Sequence, residues 1–168
     1  MPPFTREMIE QLIAERKARG HGDLFLTGAV LTELDLSGLD LRGANLRKAV
    51  LNHTDLHESI MSGVDLVEAD LTGCDLRKID LYQANLTGAN LTGANLTFAH
   101  LGLANLTAAL LHGANLTFAD AHRADFRLAD LSQCNLREAK LHGANLDQAD
   151  LTDAKLQGTI MPNGSKHS

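Results

Sequence analysis

The sequence has no tryptophan, one tyrosine and five phenylalanines, so aromatic residues make up 4% of its 168 positions. A core built around rings is excluded. Because 44% of the chain is still hydrophobic, a core of small aliphatic side chains remains. Proline is confined to Pro2, Pro3 and Pro162, which suits a backbone whose N–H groups are all needed in a ladder between those points. Two cysteines, Cys74 and Cys134, are too few for a disulfide scaffold. No apolar run reaches the length of a bilayer span, and the opening MPPFTREMIEQLIAERKARG holds no leader-like apolar stretch before its charges. A soluble, cytoplasmic protein with no membrane partner is expected. Also missing are a glycine-rich phosphate loop and a nucleophile motif, so no catalytic residue, cofactor or enzyme activity is expected. Eight histidines raise the question of metal. His122 and His142 are twenty residues apart, and His53 and His57 are close in sequence, but no third or fourth ligand at a matching spacing accompanies either pair, and no metal site is expected.

What is present is a period. In ANLTGANLTGANLTFAHL, Leu86, Leu91, Leu96 and Leu101 recur every five residues. On a helix that spacing scatters the side chains around the axis, and on a straight strand it alternates them between faces. An alanine two residues before each leucine (Ala84, Ala89, Ala94, Ala99) shares a face with it on an extended segment. A chain that turns every five residues can therefore point both inward. The register runs unbroken from Leu26 to Met161 through twenty-eight blocks, of which 24 are centred on Leu and the others on Met61, Ala121, Phe126 and Met161. Ala fills the inward position two before the centre in 18 of the 28, so that column must be crowded. Cys74 and Cys134 fall in it, three coils apart at about 14 Å, beyond disulfide reach, and read as buried substitutes for alanine. Asp or Asn usually precedes the centre, where its side chain can bond backbone at a turn. Gly recurs two residues after it, as at Gly38, Gly88 and Gly93, where a corner can use positive φ.

The tandem A-(D/N)-L-x-x pattern over 24–163 resembles the pentapeptide-repeat family. The resemblance implies an all-β solenoid, a right-handed quadrilateral β-helix with four blocks per coil and about seven coils. Such a column would stand roughly 34 Å tall at the inter-strand spacing. It does not imply one activity. The chain's ending resembles that of stand-alone cyanobacterial members of unassigned function. The reading is a non-enzymatic structural and protein-interaction module with an unknown protein partner. The alternative is a DNA-mimicking, gyrase-binding protein that protects the topoisomerase. Residues 24–163 carry 13 Asp and 4 Glu against 4 Lys and 6 Arg, a net of −7. A duplex of that height carries roughly 20 phosphates. The chain also lacks the C-terminal helix and projecting loops of that subgroup, and no direct nucleic-acid contact is expected.

The organisation reads as a helical cap over 1–23, the repeat over 24–163 and a tail over 164–168. Phe4, Met8, Ile9, Leu12 and Ile13 form a stripe at helical spacing within a helix expected over 5–19, with Thr5 as N-cap and Gly20 as stop. The helix covers the first coil, where Leu34 and Leu39 replace the usual alanine. A membrane-surface helix is the other reading, opposed by its mixed-sign polar face. At the far end two arrangements stand open: a homodimer through the C-terminal coils, or the tail folded across the last coil, with Pro162-Asn163-Gly164 as the turn.

Residues twenty apart should stack. One column then reads Asp40, Ile60, Asp80, His100, Asp120, Lys140, Ile160, and His100 is expected within ion-pair reach of both neighbouring aspartates. Phe98 and Phe118 stack at a corner, with Leu103 and Leu128 at equivalent corners. These four are the candidate partner contacts, with a purely structural ladder as the other reading.

Overall fold

The computed structural model describes residues 4–20 and 24–168. Pro2, Pro3 and the join at 21–23, where the expected cap ends, lie outside the described residues. From Phe25 onward, the residue before each centre forms a parallel bridge with the residue twenty positions on, from Phe25↔Asn45 to Lys140↔Ile160. The hydrogen bonds show how one block builds on another. The Leu26 N–H donates to Asn45 O at 2.8 Å, the Gly28 N–H to Arg47 O at 2.8 Å, and the Asn45 N–H to Leu24 O at 2.9 Å. Within a block, the Ala29 N–H returns to Leu26 O at 3.0 Å and closes a turn. A turn every five residues leaves one bridging residue per side, so the extended segments are single-residue bridges rather than longer strands.

The core is the predicted one. Leu86, Leu91, Leu96 and Leu101 are fully buried, as are Ala89, Ala94 and Ala99. Each such leucine contributes on the order of 1.5–3 kcal/mol. Phe126, the largest residue at a centre, is also fully buried, and the block before it carries Ala121 in place of leucine, which keeps the summed volume of that layer near the usual value. Cys74 and Cys134 are buried and free, as the alanine column requires. Their Sγ atoms donate to Leu51 O and Leu111 O, each at 2.9 Å. Thr54 and Thr159 use the same relation, with Oγ1 donating to Leu31 O at 2.8 Å and Leu136 O at 2.6 Å. A polar residue is thus tolerated in the alanine column when it can reach a carbonyl, 23 residues back for these four and three back for Ser59, whose Oγ donates to Leu56 O at 2.7 Å. Burial pushes both thiols up to about 12, so they stay protonated and unreactive at neutral pH.

Glycine is not required at the corners: seventeen non-glycine residues, all two after a centre, have φ between +55° and +61°. Isolated left-handed residues cost about 1–2 kcal/mol each. Here the turn bond closes each corner, as Ala149 N–H does to Leu146 O at 3.0 Å, and at all of these corners but Gln148 and Asp153 the corner N–H is also tied to the neighbouring coil, as Gln83 N–H is to Gly102 O at 3.0 Å.

Helix α1 spans Arg6–Ala18. Thr5 caps it, with Oγ1 accepting from the Met8 N–H at 3.3 Å; Arg19 closes it and Gly20 follows at φ +72°. Ile9 and Ile13 are buried and Phe4, Leu12, Leu34 and Leu39 pack around them. Met8, placed on the apolar stripe from sequence, is exposed, because it lies one residue off the Ile9–Leu12–Ile13 seam. No helix among the described residues is long and apolar enough to cross a membrane.

Candidate functional site

The outward surface is organised by the residue before each centre. Its Oδ1 accepts the N–H of the residue two ahead, and a hydroxyl there donates as well: the Thr92 N–H and Oγ1 reach Asn90 Oδ1 at 3.1 and 2.7 Å. The same pair of bonds recurs at Asn85–Thr87, Asn95–Thr97 and Asn115–Thr117. This local bond explains the recurring N-L-T triplet and keeps these side chains flat against the column.

The predicted column from Asp40 to Ile160 exists, each member bridging the next. The expected ion pairs of His100 do not form: among the described residues none involves it. The reason is the same local turn. Asp120 Oδ1 is occupied by the His122 ring Nδ1 at 2.8 Å and the His122 N–H at 3.2 Å. Burial raises the Asp120 carboxyl, but those His122 contacts outweigh it and the net direction is downward. The His122 ring lies over Gly102, where an added Cβ would collide with it, and stacks on His142 at 5.5 Å with Tyr82 at 6.4 Å.

Phe98 and Phe118 form the predicted stack, with ring centroids 5.0 Å apart and planes at 6°. Both are about half exposed. Leu103 and Leu128 are exposed at corners too, but the structure does not gather the four. Leu103 lies one corner further along the chain, so it borders the same side as the phenylalanines from across the His100–Asp120 column. Leu128 is two corners from Phe118 and faces away. A shallow cavity of about 450 Å³ runs beside the stack, lined by Lys78, Phe98, Ala99, His100, Phe118, Asp120 and Lys140. A second, of about 430 Å³, lies on the other side of the corner against His57, Arg77, Lys78 and Phe98.

One grouping was not read from sequence. Asp55, His57 and Asp75 bring their polar atoms within 4.8 Å of one another, because residues 55 and 75 stack and the imidazole folds back on Asp55, Nδ1 to Oδ1 at 2.7 Å. Arg77 Nε contacts both Asp75 oxygens, at 2.8 and 2.9 Å. The group is thus an ion-pair network, and His57 is raised above its ordinary value, first by the Asp55 bond. The spacing of twenty between the two aspartates was the available signal. His53, paired with His57 in the sequence reading, instead lies against Gly73.

The family model of pentapeptide repeats matches in eight copies over residues 26–63, 65–101, 89–127 and 129–163. Among solved structures, HetL, a pentapeptide repeat protein involved in heterocyst differentiation regulation from the cyanobacterium Nostoc sp. strain PCC 7120, is 30% identical, covering 92% of this chain and 98% of its own, with a TM-score of 0.35. Rfr23 from the cyanobacterium Cyanothece 51142 is 26% identical over 90% of this chain and 95% of its own, at a TM-score of 0.35. A trypsin-treated form of QnrB1, a plasmid-mediated fluoroquinolone resistance protein, is 19% identical over 80% and 82%, at 0.34. No curated protein matches the sequence. Eight tandem copies laid along one unbroken five-residue register, with a bridge at every twentieth residue, make this chain a member of the pentapeptide-repeat family.

Proposed function

We propose that this protein is a rigid, non-enzymatic interaction module: a right-handed quadrilateral β-helix of about seven coils that docks a protein partner at the Phe98–Phe118 corner. The observation that carries this is the exposed, parallel ring pair at φ +60° and +59°. Two bulky aromatic side chains stack at a corner position that elsewhere is mostly glycine or polar, with Leu103 and Leu128 the other large apolar residues there, and they leave apolar area in water. A filled core supports a binding rather than a catalytic role. A DNA-mimicking role is disfavoured by electrostatics, because many outward carboxylates are neutralised locally, as Asp40, Asp75 and Asp125 are by Arg42, Arg77 and Arg127.

The test is Phe98→Gln with Phe118→Gln, since Gln83 and Gln133 already occupy the same corner position. Proteins captured from the native organism by the parent chain and lost by the variant, at unchanged melting temperature, support docking. Capture retained with a lower melting temperature makes the pair a structural ladder.

We also propose homodimerisation through the C-terminal coils. Among the described residues the N–H groups of Leu146, Gln148, Leu151, Asp153 and Leu156 make no backbone bond, and Leu146, Leu151 and Leu156 are half-buried. Such an edge is a template for pairing. A strictly monomeric mass by light scattering at high concentration removes this part.

A further inference from the structure

The distribution of basic side chains around the Phe98–Phe118 corner points to the chemistry of its partner. Resting on the docking site proposed above, we infer that this surface takes an acidic peptide segment carrying an aromatic or large aliphatic anchor.

Most basic side chains on the column are already matched. Lys48 pairs with Glu68, Lys78 with Glu58, Arg77 with Asp75 and Arg127 with Asp125. Among the described residues, Arg123, Arg137, Lys140 and Lys155 have no carboxylate within ion-pair distance. Three of these four surround the phenylalanine corner. Lys140 lines the 450 Å³ cavity beside the rings and follows Asp120 in the bridge column. Arg137 belongs to the coil immediately beyond Phe118, whose N–H donates to Arg137 O at 3.0 Å. Arg123 stands at the next corner, in the column of Leu103, on the far border of the same side. In a chain of net charge −6, unmatched positive charge gathered at one exposed apolar corner is the reverse of the overall field.

The arrangement suits two kinds of contact at once. An apolar side chain entering the cavity covers the faces and edges of Phe98 and Phe118 against Ala99. Carboxylates on flanking peptide residues then reach Lys140 in the cavity and, beyond the anchor, either Arg137 across the phenylalanine corner or Arg123 at the far border of the side, as charge-assisted hydrogen bonds. The Asp120 carboxylate in the same cavity is engaged by His122, so it does not compete for Lys140 through a close ion pair. A basic or neutral segment would leave the three cations unmatched and meet Asp120 instead.

The experiment is selection from a displayed library of short random peptides on the purified full chain. Affinities of the recovered sequences are then measured by fluorescence anisotropy against the parent, the Phe98→Gln/Phe118→Gln variant, and a Lys140→Glu/Arg137→Glu variant whose melting temperature is checked first. The expected result is enrichment of peptides pairing Asp or Glu with Phe, Tyr, Trp, Leu or Ile. Binding should weaken about tenfold or more in each variant and fall as salt rises. Enriched peptides that are neutral or basic, yet are lost in the glutamine variant, overturn the acidic partner and leave the docking corner standing. Acidic peptides indifferent to the glutamine variant overturn the corner itself. No enrichment at all overturns both.

Discussion

The two ends of the column solve the same problem unequally. A stacked coil exposes backbone donors, acceptors and core at each terminus. At the N-terminal end α1 supplies both kinds of cover. Ile9 and Ile13 close the core, and two arginines stand in for the missing coil: Arg6 donates to Asp35 O and Ser37 O at 3.0 and 3.1 Å, and Arg16 to Arg42 O and Asp40 O at 2.8 and 3.0 Å. At the C-terminal end the tail reaches one side only. Residues 160 and 166 form an antiparallel bridge, with Gly158 N–H to His167 O, His167 N–H to Thr159 O and Met161 N–H to Ser165 O. The other sides of that coil stay open. The difference teaches that a cap has two separable duties, covering apolar side chains and terminating the ladder, and that the tail performs mainly the second.

The largest expected effect that would break this comparison is at the covered end. Ile9→Ala should cost about 2–5 kcal/mol in denaturant unfolding; a change below half a kilocalorie would mean that the helix rests on the column without closing it. Next is Arg16→Met, which keeps the apolar stem and removes the donors to two carbonyls. A loss of about 1.5–3 kcal/mol is expected, and an unchanged denaturation midpoint would show that water serves those carbonyls equally well. Deleting residues 164–168 removes four backbone bonds at a solvent-exposed edge and should lower stability by about 1–3 kcal/mol. It should also increase self-association on a sizing column, so a monomer of unaltered melting temperature would show the tail to be idle.

The smallest effects are in pH. His57 is raised above its ordinary value by Asp55, so its contribution to stability is complete below the unfolded value near 6.5 and is lost as pH rises through the higher folded value. The melting-temperature difference between the parent and His57→Gln should therefore be larger at pH 5.5 than at pH 8.5, and a reversed order would show that the Asp55 contact is not formed in solution. Asp40, beneath α1, is lowered to about 2, first by the Arg42 side-chain bond. Its contribution is present above the unfolded value near 3.9 and lost as pH falls toward 2. Hydrogen exchange at pH 2–4 should accordingly rise first at the α1 end.

The column was legible because its rule is local and repeated. One inward pair every five residues fixes side, core and period together, so Leu86 to Leu101, the stacking of Phe98 on Phe118 and the burial of both cysteines could all be read from spacing. What the spacing could not show was rotamer. Asp120 turning back on His122 instead of reaching His100 depends on a side-chain torsion that the period does not encode. The same limit hid the carbonyl contacts of Arg6 and Arg16. Glycine marks where positive φ is cheapest, and the corners at Phe98, Phe118, Leu103 and Leu128 were legible from the same spacing. Leu128 was grouped with the phenylalanines by type of corner, whereas its place in the twenty-residue circuit sends it to the opposite edge.

The ladder has a consequence for length. Because a bridge joins each residue only to those twenty before and after it, an interior circuit depends on its immediate neighbours and on nothing farther away. Removing or duplicating one whole circuit should therefore shorten or lengthen the molecule by a single step while both termini keep their own architecture, whereas residues added to the coil in a number that is not a multiple of five would take every later leucine out of the column of leucines it now stacks in.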